Sequence, residues 1–104
     1  MSSKTISLDF DGVIHRYSKG WGNGTIYDPP TPGTAEAMKK LMGAGYALVI
    51  HTTRIDHDEI KRWLVKYDLP DIQVSNIKPI ARIYIDDRGW RFDGNWETVL
   101  KLLI

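Results

Sequence analysis

The sequence predicts a three-layer α/β sandwich on a mainly parallel, Rossmann-like sheet, and three observations lead there. Strand-like and helix-like segments alternate along the chain. Residues 46–51, YALVIH, form a continuous apolar run, as expected of a strand covered by helices on both faces. A chain of 104 residues has room for one ordinary hydrophobic core but not two, so residues 1–104 are expected to form a single domain.

The elements follow in order. Residues 5–10 alternate Ile6, Leu8 and Phe10 with Thr5, Ser7 and Asp9, a strand pattern that runs into the sharp polar segment DFDG. Residues 13–17 and 25–27 flank the Gly-rich KGWGNG, which predicts a small β-hairpin flap over about residues 13–28 with Trp21 near its tip. Thr31 is a candidate cap for a helix with Pro32 in its first turn. Ala37, Met38, Leu41 and Met42 form its apolar stripe, and the Gly43 to Gly45 segment ends it.

After the strand at 46–51, Asp56 or Asp58 starts a second helix, with Ile60, Trp63, Leu64 and Tyr67 at helical spacing and Leu69-Pro70 closing it. Residues 72–74 and 81–85 read as two further strands, the latter ending at Asp86-Asp87. Trp96, Val99, Leu100 and Leu103 mark a C-terminal helix.

Fourteen Lys and Arg against thirteen Asp and Glu leave a formal charge of +1, so no strong global field draws nucleic acid or an anionic membrane. The absence of Cys excludes a disulfide framework, a thiol nucleophile and thiolate-bound zinc, so any metal is held by oxygen or imidazole. No apolar stretch approaches the ~20 residues of a membrane span. Residues 1–7 carry no apolar signal region, and a cytoplasmic location is expected.

In a parallel sheet covered by helices, ligands bind beyond the carboxyl ends of the strands. The residues expected there are Asp9 and Asp11, Thr52 and Thr53, Lys78 nearby, and Asp86 with Asp87. Carboxylates converging on one sheet edge repel one another unless a cation compensates, and an all-oxygen donor set suits Mg²⁺. Thr52, backbone N–H groups and Lys78 would cradle phosphoryl oxygens. Of Asp9 and Asp11, one could attack phosphorus while the other transfers a proton.

The segments DFDGV (9–13), VIHTTR (49–54), KP (78–79) and YIDDRG (84–89), in that order, resemble the four motifs of the haloacid dehalogenase-like superfamily of phosphotransferases. The resemblance spans almost the whole chain. It implies that Asp9 is the nucleophile and a Mg²⁺ ligand. It makes Asp11 the general acid/base, with its backbone carbonyl also on the metal. Thr52 would bind the phosphoryl group, with Thr53 as the alternative, and Lys78 would neutralise charge. Asp86 and Asp87 would complete the metal site. An aspartate at position 11 points to phosphate ester hydrolysis.

About forty residues separate Asp11 from Thr52, which leaves room for a helix and a flap but no cap domain. The chain thus resembles the capless subgroup, whose open sites admit small phosphorylated molecules or macromolecules, or use an oligomeric partner as lid. Trp21 and Trp90 could stack on a base or sugar. Arg54 and Arg88 flank two motifs, as partners of the carboxylates or as substrate contacts. With Arg82, Arg88 and Arg91 nearby, a phosphatase for nucleic-acid ends is an alternative, though the charge of +1 does not favour it. A phospho-acceptor or silent phosphate-binding module is another.

Simpler roles stand beside these. Asp9 and Asp11 can serve as turn residues, Thr53 as a helix N-cap, and His15, His51 and His57, at spacings that match no metal pattern, as structural side chains.

Overall fold

The computed structural model describes residues 4–77, 79, 81–86 and 90–104, with Trp90 and Arg91 described as backbone. Strand β1 (Thr5–Asp9), helix α1 (Thr34–Gly43), strand β2 (Ala47–His51), helix α2 (His57–Lys66), strands β3 (Gln73–Ser75), β4 (Ile83–Asp86) and β5 (Trp90–Arg91), and helix α3 (Trp96–Leu103) follow in chain order. The strands form one sheet in the order β3-β2-β1-β4-β5, and every pairing is parallel. The two-residue β5 at the edge was not evident in the sequence.

Three successive residues in the middle of β1 (Ile6, Ser7 and Leu8) and of β2 (Leu48, Val49 and Ile50) are buried, so both faces of the sheet are covered. This is the three-layer arrangement the apolar run implied. Helix α1 packs on β2 and against α3, and α2 packs along β3. Ile6, Leu8 and Phe10 meet Met38 and Leu41 of α1, Ile60 and Leu64 of α2 and Val99 of α3 in a continuous core.

Helix ends follow local chemistry. Asp56 caps α2 by accepting the amide of Glu59 at 3.1 Å, and Asn95 caps α3 by accepting that of Glu97 at 2.9 Å. Thr53 therefore does not cap α2. Helix α1 ends where expected, with Gly45 in the left-handed region (φ 97°) and the Tyr46 amide closing on the Leu41 carbonyl at 3.1 Å.

Helix α1 begins at Thr34, later than the Thr31-Pro32 pattern suggested, because Gly33 at the N-cap adopts a left-handed conformation. The Thr31 hydroxyl instead donates to the Val13 carbonyl and bonds the Thr34 hydroxyl, both at 2.6 Å. It ties the start of α1 to the turn after β1.

The expected β-hairpin over residues 13–28 is also corrected. This segment contains no paired strands, and its backbone bridges are confined to Asp11 with His15 and His15 with Pro30. Positive φ at Tyr17, Gly20, Gly22 and Gly24 repeatedly interrupts extended backbone. Side chains do the work of a ladder: the Ser18 amide donates to Asp28, and the Lys19 amide to the Tyr27 hydroxyl, which donates in turn to the Gly20 carbonyl. No helix or strand intervenes between β1 and α1, consistent with the absence of a cap in the sequence reading.

Candidate active site

Parallel pairing brings the strand ends together. Asp9 is in register with His51, His51 with Ser75, and Leu8 with Ile85, so that Asp9 and Asp86 end adjacent strands. Thr52 extends the β2–β3 ladder by one bond, its amide donating to the Ser75 carbonyl at 3.0 Å. Asp9, Asp11 and Asp86 line one cavity of about 220 Å³, walled by Tyr17 and Phe92.

The turn after β1 shapes this cavity. The amides of Val13, Ile14 and His15 all converge on the Phe10 carbonyl at 2.9–3.3 Å, and the Phe10 amide donates to Asp9 Oδ1 at 2.9 Å. The curl brings positions 11 and 15 face to face, with Asp11 Oδ1 2.8 Å from His15 Nδ1.

Arg54, two residues beyond Thr52, completes the surroundings of Asp11. Its Nε donates to Oδ2 at 2.9 Å and its Nη2 to Oδ1 at 3.0 Å. Burial raises the affinity of Asp11 for a proton, but the His15 and Arg54 hydrogen bonds and the Arg54 charge outweigh it and hold the carboxyl below its ordinary range. The remaining Arg54 nitrogen, Nη1, donates to the Gly24 carbonyl at 2.6 Å, and the guanidinium lies 4.6 Å from the centre of the Trp21 ring. Arg54 thus joins the acidic turn to the Gly-rich loop.

Thr52 is buried and its hydroxyl accepts the Arg54 amide at 3.1 Å, leaving its O–H to donate. Thr53 is exposed and faces a separate outer cleft of about 370 Å³ with Trp21, Arg54 and Asp56. A further cleft of about 410 Å³ lies between residues 23–26 and the exposed side of α2, lined by Glu59, Arg62 and Lys66. Neither contains the converging carboxylates.

Of the residues singled out in the sequence, Asp9, Asp11 and Asp86 come together, Arg54 joins them through Asp11, and Trp21 joins through Arg54. Lys78, Asp87 and Arg88 lie outside the described residues. Arg82 lies away from the site: its amide bonds the Thr5 carbonyl, at the opposite end of the strands.

The sequence reading missed His15 and Tyr17. His15 sits four residues after Asp11, a spacing that the turn exploits and that could have marked it. Tyr17 is placed in the cavity wall by a positive φ of 58°, which its sequence does not signal.

Among the described residues, no group of three or more His, Asp or Glu is arranged to hold a metal ion. Asp9 and Asp86 nevertheless offer an all-oxygen pair at one sheet edge. That donor set fits Mg²⁺, which is commonly held by one or two carboxylates and keeps several waters. No helix among these residues is long and apolar enough to cross a membrane.

No family model and no curated protein matches the chain. The fold is similar to the solved structure of a conserved protein from Bacteroides thetaiotaomicron, with a TM-score of 0.69 and 24% identity over 96% of this chain and 88% of that one. This likeness concerns the fold alone.

Proposed function

We propose that this chain is a Mg²⁺-dependent phosphomonoester hydrolase of the haloacid dehalogenase-like type, acting through an aspartyl-phosphate at Asp9. The observation that carries the reading is the convergence of Asp9, Asp11 and Asp86 in one cavity at the carboxyl edge of the parallel sheet.

In the first step a carboxylate oxygen of Asp9 attacks phosphorus. The bond to the leaving oxygen breaks, its electron pair stays on that oxygen, and Asp11 supplies the proton. In the second step water attacks the phosphoryl group, Asp11 takes the water's proton, and Asp9 is released as carboxylate. Thr52 donates its hydroxyl to the phosphoryl oxygens, and Lys78 adds positive charge. Asp9 and Asp86, with the Asp11 backbone carbonyl and Asp87, would hold the Mg²⁺, which neutralises phosphoryl charge when bound.

The carboxylate of Asp11, ionised and gripped by Arg54, is in the state that accepts a proton from water. To act as an acid in the first step it must lose the Arg54 contact to Oδ2, and a bound phosphate ester competes for the same guanidinium. It must also take up a proton from solvent, and the proton taken from water in the second step restores that acid for the next turnover. That engagement of both Asp11 oxygens favours a second reading, a silent phosphate-binding module. Hydrolysis of p-nitrophenyl phosphate separates the two. The enzyme reading predicts turnover that EDTA and Asp9→Asn each abolish, whereas a silent module is stabilised by Mg²⁺ and phosphate without turning over.

A further inference from the structure

His15 is fully buried in a cage of aromatic rings, with Phe10 stacked at 5.3 Å and Tyr27, Tyr17 and Trp63 edge-on at 5.2, 5.7 and 6.0 Å. A phenylalanine would satisfy such a cage. What only histidine provides is its pair of nitrogens, and both are used.

The Asp28 amide reaches His15 Nε2 at 3.1 Å. A backbone amide can only donate, so Nε2 carries a lone pair and the ring proton lies on Nδ1. Nδ1–H then donates to Asp11 Oδ1 at 2.8 Å. The backbone of Asp28 is held at the next peptide as well, where the Trp63 indole N–H of α2 donates to the Asp28 carbonyl at 3.0 Å. A directed pair of hydrogen bonds thus runs from the Asp28 amide through His15 to Asp11.

This direction has a chemical consequence. With Nδ1–H as donor, Oδ1 of Asp11 is committed as acceptor and has no acceptor on His15 for a proton of its own. Oδ2 faces Arg54 Nε instead. We propose that His15 is a positioning residue for the hydrolase reaction: its tautomer, fixed by the Asp28 amide, reserves Oδ1 as acceptor so that Oδ2 exchanges the proton with leaving group and water. Arg54 covers that oxygen until substrate draws the guanidinium away.

The assignment rests on the phosphatase reading, and its test distinguishes the two. Turnover of a simple alkyl phosphate, whose poor leaving group needs a proton, is compared with that of p-nitrophenyl phosphate, whose good leaving group does not. His15→Phe, which refills the cage without nitrogens, is expected to slow the alkyl ester on the order of 100-fold and the nitrophenyl ester only a few-fold. His15→Asn, which retains an N–H near the position of Nδ1, restores most of the difference and serves if the Phe variant does not fold. Nitrogen-resolved NMR of the wild-type ring is expected to show the proton on Nδ1.

A proton on Nε2, or equal losses on both esters, overturns the role of His15 while leaving the phosphatase reading intact. Absence of turnover of either ester by wild-type protein with Mg²⁺ overturns both.

Discussion

Arg54 grips both carboxylate oxygens of Asp11, with nitrogen-to-oxygen distances of 2.9 and 3.0 Å, across 43 residues of sequence. The pair ties the end of β2 to the turn after β1. Through the third guanidinium nitrogen it also ties both to the Gly-rich loop.

Removing the guanidinium should therefore destabilise the fold. Arg54→Ala is expected to cost about 2–3 kcal/mol near neutral pH, the range for a charge-assisted, largely buried pair, as measured by urea unfolding. Folding depresses the Asp11 pKa, so the pair's contribution is complete above the ordinary value of 3.8 and is lost as pH falls through the lower folded-state value. The gap between wild type and Arg54→Ala should stay constant from about pH 5 to neutrality and narrow below that.

Metal binding should depend on the two strand-end carboxylates. Mg²⁺ at about a hundred times its dissociation constant is expected to add about 2.7 kcal/mol of stability, visible as a rise in melting temperature. Asp86→Asn should remove most of that rise. An equal Mg²⁺ shift in the variant would move the metal elsewhere.

Gly24 allows the Gly-rich loop to meet Arg54. Its φ is +86°, and a Cβ there would lie 2.9 Å from the Trp21 ring. Gly24→Ala is expected to cost about 1–2 kcal/mol from the backbone alone, or several degrees in melting temperature for a domain of this size. Displacement of Trp21 from Arg54 should alter the indole emission, a change that Trp21→Phe would abolish.

Thr31 joins the turn after β1 to α1. Thr31→Val leaves the Val13 carbonyl without its hydroxyl donor and removes a partner of Thr34, both in buried surroundings. A loss of about 1–3 kcal/mol is expected, with faster hydrogen exchange at the amides of residues 12–15.

The helices and all strands but β5 were legible because their signals are local: the apolar run ending at His51, the cap at Asp56, and the helical spacing of Ile60, Trp63 and Leu64. The site's position followed from topology, since parallel strands bring Asp9 and Asp86 to one edge. The loop at 13–28 was misread because bonds between side chains and distant backbone, such as Lys19 to Tyr27 and Asp28 to His15, set its path and leave no periodic trace. The partnership of Arg54 and Asp11 was one of two roles weighed for Arg54, and their separation in sequence left it undecided. His15 was read as structural; the hydrogen bonds of its two ring nitrogens, on which the role proposed for it rests, are not revealed by residue type alone.

The central claim is that Asp9 carries the phosphoryl group. Acid-quenched protein taken during turnover of p-nitrophenyl phosphate with Mg²⁺, digested and mapped by mass spectrometry, tests it most directly. The account predicts a phosphoryl adduct on the peptide containing Asp9, lost in Asp9→Asn and in EDTA. Turnover with an adduct on another residue, or undiminished turnover in Asp9→Asn, would contradict it.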